Sequence, residues 1–211
     1  VGRSLTTGSD PNPTFAGDSG AEAGLMAGGE NRVYWGTDMT SFPLPPEGSG
    51  PKYSEGNARI GRAGIDGSGI ETAWKSFGSS AQDRAAVAVY GRDLYWLTRV
   101  KSGSSEIGHA DLRPGGGYSG GYVTGLGSGA RGIAADSTGI YWSKGGDIYH
   151  AGLDGQGSAL WKSTSATSIE GLALDSGHLY FAAKSDGYIG RVSKSDLSLD
   201  STFVTNLGTG A

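Results

Sequence analysis

The segment Gly132–Gly155 reads GIAADSTGIYWSKGGDIYHAGLDG, and its three apolar stretches recur along the chain. We name them a (Gly-Ile-Ala-like), b (an aliphatic residue followed by two aromatic residues) and c (Ile-x-Arg or Ile-x-His). A fourth apolar or aromatic stretch, d, follows each c stretch. Each stretch is short, is bounded by Gly, Ser or Asp, and lacks a helical period, so each is predicted to form a β-strand.

The four stretches recur in a fixed order, and from Ile60 onward the c stretch returns after 47, 41 and 41 residues. The a and b copies begin at Ala23 and Val33, Ala85 and Leu94, Gly132 and Ile140, and Gly171 and Leu179. The c copies begin at Val1, Ile60, Ile107, Ile148 and Ile189, and the d copies are Thr72–Phe77, Gly121–Leu126, Ala159–Lys162 and Thr202–Leu207. Four strands per roughly 42 residues is typical of β-propeller blades. We therefore predict an all-β fold, a β-propeller of four-stranded antiparallel blades.

The repeat also predicts the domain organisation. The chain 1–211 is predicted to be a single propeller domain, with a half blade at 1–20 and full blades at 21–80, 81–127, 128–167 and 168–211. About four and a half blades are then visible, which suggests a parent protein or assembly of five or six blades. A propeller left open would expose two unpaired strand edges. We therefore expect the chain to be a fragment or to be completed by another chain.

Composition excludes several classes of protein. The 40 glycines suit many tight turns, and the 10 tyrosines, 5 tryptophans and 5 phenylalanines are too many for a disordered linker. There is no run of 18 apolar residues, so we expect no membrane insertion. A net charge of −4 without a cluster of Lys and Arg argues against a nucleic-acid partner. The absence of cysteine excludes a disulfide framework.

The aromatic pairs of the b stretches are predicted to be core. The small residues of the a stretches suit the crowded axis of a propeller, whereas the rings of b can fill the space between blades, which widens outward. A buried ring removes about 150–250 Å² from water, which is worth several kcal/mol at about 25 cal/mol per Å². We therefore expect these rings to pack inside the fold and not to form a platform for sugars or bases.

These residues resemble the YWTD repeat, the class B repeat of low-density-lipoprotein receptors and its bacterial relatives. The resemblance rests on the order aliphatic-Tyr-Trp, Ile-x-Arg-Ala-x-Leu-Asp-Gly and Gly-Ile-Ala-x-Asp, and Tyr34–Asp38 comes closest to the full motif. It implies a secreted or cell-surface binding module without catalysis or cofactor, which takes a protein or glycan ligand on its loop face. The other three b copies lack the family's Asp, which suggests a divergent, bacterial member.

Two alternatives stay open at the level of sequence. The c stretch is also similar to repeats of streptogramin lyases and the wider NHL-type propellers, which implies a lactonase- or lyase-type enzyme whose site is completed by missing strands. A streptogramin lyase needs His and Glu together near the axis, and Glu170 has no such His beside it. The other alternative is a structural subunit of an assembly, such as a homo-oligomer or a chain that accepts a half blade from its neighbour.

The candidate ligand-binding residues are charged and lie where the chain crosses one rim of the propeller. Consecutive antiparallel strands send the b–c and d–a connections to one rim, and the a–b and c–d connections to the other. Arg84, Arg131 and Glu170 stand just before a stretches, at the mouth of the predicted channel, and Asp38 precedes the Pro-rich insertion at 39–58. We predict that a ligand binds this rim and that the opposite rim is inert. The alternative is that the axial charges pair with one another.

No catalytic residue and no metal site is predicted. His109 and His150 occupy a position that is Arg in other c copies, and His178 falls in an a–b turn, so the three imidazoles are not expected to meet around a metal. Gly115–Gly121 lacks the lysine of a phosphate loop and is predicted to be a c–d turn. Two Asp-Gly pairs lack the further acidic ligands of a calcium loop and are predicted to be β-turns, namely Asp66-Gly67 and Asp154-Gly155.

Overall fold

A computed structural model describes residues 22–29, 31–38, 59–76, 86–99 and 103–208. The predicted all-β fold is confirmed, because these residues form sixteen strands in four antiparallel sheets of four strands, the blades of a β-propeller. Within the described ranges, helix is limited to a single 3-10 turn at Lys184–Asp186. The predicted half blade at 1–20 and the insertion at 39–58 lie outside the described residues.

Each blade contains four strands that follow one another in the chain and pair in that order. The first blade consists of β1 (Glu22–Gly28), β2 (Arg32–Asp38), β3 (Arg59–Gly64) and β4 (Glu71–Ser76). The second consists of β5 (Ala86–Tyr90), β6 (Asp93–Arg99), β7 (Ser105–Asp111) and β8 (Tyr118–Val123). The third consists of β9 (Ala130–Asp136), β10 (Gly139–Lys144), β11 (Asp147–Ala151) and β12 (Ala159–Ser163). The fourth consists of β13 (Gly171–Leu174), β14 (His178–Ala183), β15 (Tyr188–Ser193) and β16 (Leu199–Val204).

The chain divides into two compact units. One holds Val1–Val87 with Thr98–Lys101, and the other holds Ala88–Leu97 with Ser102–Ala211. The third and fourth blades both belong to the second unit, where β9 and β13 lie side by side. The a strands of these two blades are therefore neighbours, as strands around a common axis must be.

Two d strands begin three residues earlier than the sequence predicts. The observed and predicted bounds are Tyr118–Val123 against Gly121–Leu126 for β8, and Leu199–Val204 against Thr202–Leu207 for β16. Both strands stop before a left-handed residue, since φ is 75° at Gly125 and 63° at Asn206, and such a residue interrupts an extended strand. The earlier start of β8 also corrects the predicted turn at Gly115–Gly121, whose second half is strand.

The glycine of the c stretch is explained by the ring opposite it. Phe181 pairs with Gly190 across β14 and β15, and a Cβ atom on Gly190 would overlap that ring. A Cβ atom on Gly108 would overlap a tryptophan ring in the same way. The third blade has Tyr149 in place of this glycine, and the tyrosine ring stacks on its partner Trp142 with centroids 5.9 Å apart. The second aromatic ring of the b strand therefore restricts which side chain the c strand can have at the position opposite that ring.

The predicted aromatic core forms around the b strands. The second ring of every pair is buried, and so is the first ring in the first three blades. Between blades, Tyr141 of the third blade packs with Leu179 and Phe181 of the fourth. Such burial is the main favourable contribution to folding. The ring of Tyr180 is only half-buried, so the fourth pair is core through Phe181 alone.

Candidate functional site

The d–a loop between β12 and β13 lies on the rim where a ligand is predicted to bind. Its first half is fixed to the b–c turn of the third blade, because the Thr164 N–H and Oγ1–H both donate to the Gly146 carbonyl oxygen, over 3.1 and 2.7 Å. Its second half is fixed to the same turn, because the Ile169 N–H donates to the Gly145 carbonyl oxygen over 2.9 Å. The loop is therefore anchored along its own blade.

The same loop is also anchored to the fourth blade. Asp186, in the b–c turn of that blade, accepts hydrogen bonds from the Thr167 N–H and Oγ1–H, both 2.7 Å long. The Glu170 N–H donates to the Ala182 carbonyl oxygen over 3.0 Å. A loop that is held on both sides loses little conformational entropy when a ligand binds, and this preorganisation favours affinity.

The predicted site residues Arg131 and Glu170 lie together on this rim. Their guanidinium and carboxylate groups form an ion pair of 2.9 Å, and the Ser168 hydroxyl donates to the other carboxylate oxygen over 2.8 Å. The two side chains are 56% and 32% exposed, so the pair faces solvent. The alternative that axial charges pair with one another therefore holds for these two residues. An exposed pair contributes at most about 1 kcal/mol to stability, so both charges stay available to a ligand.

The other two predicted site residues are not brought into this arrangement. Arg84 lies outside the described residues. Asp38 is the last residue of β2, and only its backbone is described. The expectation that all four residues share one ligand-binding surface therefore stays a prediction.

A buried serine, which the sequence reasoning missed, supports the loop from the interior. The Ser143 hydroxyl accepts a hydrogen bond from the Gly132 N–H and donates one to the Ile169 carbonyl oxygen, both 2.9 Å long. Ser143 is fully buried, so its hydroxyl is satisfied as donor and as acceptor and joins β9, β10 and the loop. The signal was present in the sequence, because the other b stretches carry Gly, Leu or Ala at this position.

An open cleft of about 530 Å³ lies on the same rim, with Asp186 in its wall. Its other lining side chains are mainly polar and include Ser165, Ser201, Thr202, Thr205 and Asn206. Hydroxyl and amide groups both donate and accept hydrogen bonds, and Asp186 adds a negative charge. The described part of this rim thus offers a polar recess as well as an ion pair.

The opposite rim, predicted to be inert, carries a second open cleft of about 590 Å³. Lys194 lies in its wall, where Nζ donates to Asp136 Oδ2 over 2.8 Å and to the Asp175 carbonyl oxygen over 2.6 Å. Burial opposes ionisation of Asp136, but hydrogen bonds from Lys194 and Thr138 outweigh it and lower the pKa of this carboxyl. Hydrogen bonds from Tyr180 and from two backbone N–H groups also lower the pKa of Asp175. Both carboxylates are therefore ionised and satisfied within the fold.

The three histidines are dispersed over the second, third and fourth blades. His109 Nε2 lies 2.7 Å from Asp93 Oδ1, and its ring stacks on Tyr122 with centroids 4.6 Å apart. His150 contacts a backbone carbonyl oxygen of its own blade, and His178 lies beside an aspartate of its turn. Among the residues that the structure describes, no three His, Asp or Glu side chains are placed to share a metal ion.

The two Asp-Gly pairs form β-turns, as predicted. In each, the Asp carboxylate accepts the N–H two residues further on, at Ser68 over 2.9 Å and at Gln156 over 3.0 Å. The glycines Gly67 and Gly155 have φ values of 85° and 77°, which most other residues adopt only with strain. Each carboxylate is thus occupied within its own turn.

No protein-family model matches this sequence, and no curated protein matches it. Solved structures match its fold. TolB of Acinetobacter baumannii matches with a TM-score of 0.65 at 11% identity, over 93% of this chain and 46% of that one. A gluconolactonase of Xanthomonas campestris matches with a TM-score of 0.62 at 16% identity, over 86% and 61% of the two chains. A chain of a nidogen/laminin complex matches with a TM-score of 0.50 at 12% identity, over 84% and 78%.

At these identities the similarity shows the fold alone, which is that of a β-propeller. The chain spans less than two thirds of the length of the TolB and gluconolactonase chains. The matched proteins also differ in function, since one is an enzyme and another comes from a protein complex. Across the described ranges, the chain has no helix long and apolar enough to cross a membrane.

Proposed function

We propose that this chain is a non-catalytic binding module that recognises a protein or glycan ligand on the rim formed by its b–c and d–a connections. The observation that carries the proposal is the d–a loop Thr164–Glu170. This loop is hydrogen-bonded to blades on both sides and presents the exposed Arg131–Glu170 pair. Binding residues are often carried by loops that a rigid scaffold holds in position.

The resemblance of the b and c stretches to YWTD repeats supports the same function. On that resemblance we place the module outside the cell or at its surface. The similarity in fold to a chain from the nidogen/laminin complex agrees with protein binding. The polar cleft beside Asp186 agrees equally with a glycan, because its hydroxyl and amide groups match those of a sugar.

The geometry of the described residues supports a catalytic function less than it supports a binding function. Acid–base or nucleophilic catalysis needs reactive groups within hydrogen-bond reach of each other and of bound substrate. On the described rim the Arg131–Glu170 pair is solvent-exposed, and the three histidines contact Asp93, the Thr138 carbonyl oxygen and Asp175 instead of this pair. His109 takes the c-strand position of Arg62 and Arg191, and its contacts with Asp93 and the Tyr122 ring lie within its own blade, which indicates a structural role.

A ligand search with the intact chain tests the proposal. A glycan array and a phage-displayed peptide library are screened against the immobilised chain. Each hit is then measured again with the charge-swapped double variant Arg131→Glu, Glu170→Arg. The swap keeps the ion pair but reverses the charges that a ligand meets, so affinity is expected to fall at least about tenfold.

Ser176→Ala, on the opposite rim, is the matched control and is expected to leave the affinity unchanged. Hits that bind the swapped variant as tightly as the original chain, but lose affinity with Ser176→Ala, would contradict the proposal. Turnover of a lactone that Glu170→Gln abolishes would instead support the enzyme alternative.

A further inference from the structure

The d–a loop between β8 and β9 differs from the one between β12 and β13 in its backbone hydrogen bonds. We call it the glycine loop, residues 124–129, with the sequence TGLGSG. Among the described residues, the N–H groups of 125–129 have no hydrogen-bond acceptor. In the loop between β12 and β13, most N–H groups donate to acceptors in the protein, namely those of Thr164, Ala166, Thr167, Ile169 and Glu170. The donors of the glycine loop are therefore available to a ligand.

The backbone of the glycine loop has the alternating geometry of an anion-binding nest. The φ angle is 75° at Gly125, 70° at Gly127 and 87° at Gly129, and it is negative at Leu126 and Ser128 between them. Such alternation turns successive N–H groups toward one side of the chain, where they form a concavity that binds anions. Gly125, Ser128 and Gly129 are exposed, so a ligand can reach the loop from solvent.

Lys144 places a positive charge against this loop. It ends β10, and a Cβ atom on Gly127 would lie 2.9 Å from its Nζ atom, so only a glycine leaves room for the ammonium group there. Asp147 is its cross-strand neighbour in β11. Nevertheless, the Lys144 ammonium forms neither a hydrogen bond nor an ion pair with Asp147 or with any other described residue. The charge therefore lies beside the free N–H groups without a counter-ion from the described part of the chain.

The repeat shows that a lysine is unusual at this position. The corresponding residues are Thr98 in the second blade and Ala183 in the fourth, and they are 3% and 0% exposed. Lys144 is itself half-buried. A charge that is partly removed from water is costly unless it is paired. The position of Lys144 therefore favours a bound counter-ion.

A buried hydroxyl group beside the same glycine also lacks a partner. Ser105 is 1% exposed, and its N–H donates to the Gly127 carbonyl oxygen over 2.6 Å. Its hydroxyl group has no hydrogen-bond partner among the described residues, whereas the buried hydroxyl of Ser143 has both a donor and an acceptor. Buried polar groups in native proteins are nearly always satisfied, by the protein itself or by a bound water or ion. Ser105 thus indicates a bound group at Gly127, independently of the backbone geometry of the loop.

We propose that the glycine loop, Lys144 and Ser105 bind an oxyanion, which is the carboxylate or sulfate group of an acidic ligand. The oxyanion accepts hydrogen bonds from the N–H groups of the loop, from the Lys144 ammonium and from the Ser105 hydroxyl. Hydrogen bonds from a charged donor to an anion are shorter and stronger than those between neutral groups. The loop lies on the same rim as the Arg131–Glu170 pair, so this inference rests on the proposed function and adds the charge of the ligand.

Titration of the intact, ¹⁵N-labelled chain with sodium sulfate, and separately with sodium acetate, tests the site at an ionic strength held constant with sodium chloride. Saturable shifts of the Gly125, Gly127 and Gly129 amide resonances are expected, and the salt that binds more tightly identifies the acidic group. Lys144→Ala is expected to raise the dissociation constant at least about tenfold. Lys184→Ala is the matched control, because Lys184 lies in the b–c turn of the fourth blade on the same rim, and it is expected to leave the constant unchanged.

Ser105→Ala separates a binding role from a structural one. It is expected to raise the dissociation constant about two- to tenfold and to leave the urea midpoint of the unliganded chain unlowered, because the described fold loses no hydrogen bond.

Two results would overturn the oxyanion site. One is the absence of saturable shifts with both salts, and the other is an equal loss of affinity in Lys144→Ala and Lys184→Ala, which would reveal unspecific attraction by charge. Either result would leave the proposed function standing if the glycan and peptide screens gave hits that depend on Arg131 and Glu170. Saturable binding of either salt without any hit in those screens would support the oxyanion site and contradict the proposed function.

Discussion

The third and fourth blades contain the same four stretches, yet their burial differs on one face. Trp142 and Phe181, the second rings of their b strands, are both 1% exposed. Tyr141 and Tyr180, the first rings, differ, because the former is 3% exposed and the latter is half-buried. Burial at a repeat position is therefore set by the neighbouring blade and not by the sequence of the blade itself.

This comparison separates two kinds of contribution to stability. One face of the fourth blade belongs to a core shared with the third blade, where side chains from both blades lose contact with water. On the other face, the ring contact between Tyr180 and Phe203 lies within the fourth blade's own sheet. The free energy of unfolding that a substitution costs should therefore depend on whether a neighbouring blade covers the residue, and less on the residue type.

The largest expected difference is between two adjacent aromatic residues of β14. Phe181→Ala is expected to lower the free energy of unfolding by about 3–5 kcal/mol, because it leaves a cavity between two blades. Tyr180→Ala removes a half-exposed ring and is expected to cost about 1 kcal/mol. Urea unfolding followed by tryptophan fluorescence, at about 1 µM protein to disfavour association, measures both values.

The two variants control for each other, since both truncate an aromatic ring on the same strand. Equal costs would show that the side of the fourth blade that carries Tyr180 is covered in solution under these conditions.

A second comparison uses two copies of the same loop sequence. Leu-Gly-x-Gly-Ala occurs at 126–130 and again at 207–211, and Leu126 is 6% exposed whereas Leu207 is 52% exposed. Leu126→Ala is expected to destabilise the chain by about 2–4 kcal/mol, because it empties a packed site. Leu207→Ala is expected to change stability by less than about 0.5 kcal/mol. Thermal unfolding of the two variants shows which of them is less stable. A larger loss of stability for Leu207→Ala than for Leu126→Ala would contradict the assignment of Leu126 as covered and Leu207 as uncovered.

The sequence was sufficient for strand order, which depends on local pattern within one repeat, and for seven of the eight rings of the b stretches. It failed for Tyr180, because the burial of that ring depends on a neighbouring blade. The ends of the d strands were mispredicted, because left-handed residues such as Gly125 and Asn206 determine where β8 and β16 stop. The sequence predicted Arg131 and Glu170 at one rim, but their pairing depends on how far side chains reach between adjacent blades. Interactions of that kind have no pattern within a single repeat.

The same limit explains the two polar contacts that the sequence did not reveal. Ser143 bonds to residues of its own blade and of the following loop, and Lys194 of the fourth blade bonds to Asp136 of the third. Neither residue repeats in the other blades, so the repeat pattern assigns it no role, and the one sequence signal for Ser143 is that the other b stretches carry Gly, Leu or Ala there. Their partners are adjacent only because the blades pack side by side.

A third comparison, between Ser143 and Ala182, has an expected effect of intermediate size on the free energy of unfolding. Ser143→Ala is expected to lower the free energy of unfolding by about 1–3 kcal/mol, because it leaves the Gly132 N–H and the Ile169 carbonyl buried without partners. Ala182→Ser, at the same repeat position of the half-buried fourth-blade strand, is expected to change it by less than about 0.5 kcal/mol. Denaturant titration measures both, and faster hydrogen exchange at the Gly132 amide would locate the effect of the first variant.

The smallest expected difference concerns pH and two aspartates at matching repeat positions. In the folded chain, hydrogen bonds from Lys194 and Thr138 lower the pKa of Asp136 below its ordinary 3.8 despite burial. A carboxyl whose pKa is lower in the folded state stabilises the fold above its unfolded pKa, and this stability is lost as the pH falls through the folded pKa. Asp136→Asn is therefore expected to cost about 1 kcal/mol at pH 7 and progressively less below pH 3.8.

Asp175→Asn is the matched control, because Asp175 is exposed and bonds within its own blade to Tyr180 and to two backbone N–H groups. Its asparagine can still accept the two backbone hydrogen bonds, so its unfolding midpoint is expected to stay closer to that of the original chain. Urea midpoints recorded from pH 7 down to pH 3 separate the two aspartates. If the cost of Asp136→Asn stayed constant across that range, the Lys194–Asp136 pair would not be the charge contact that joins the third blade to the fourth.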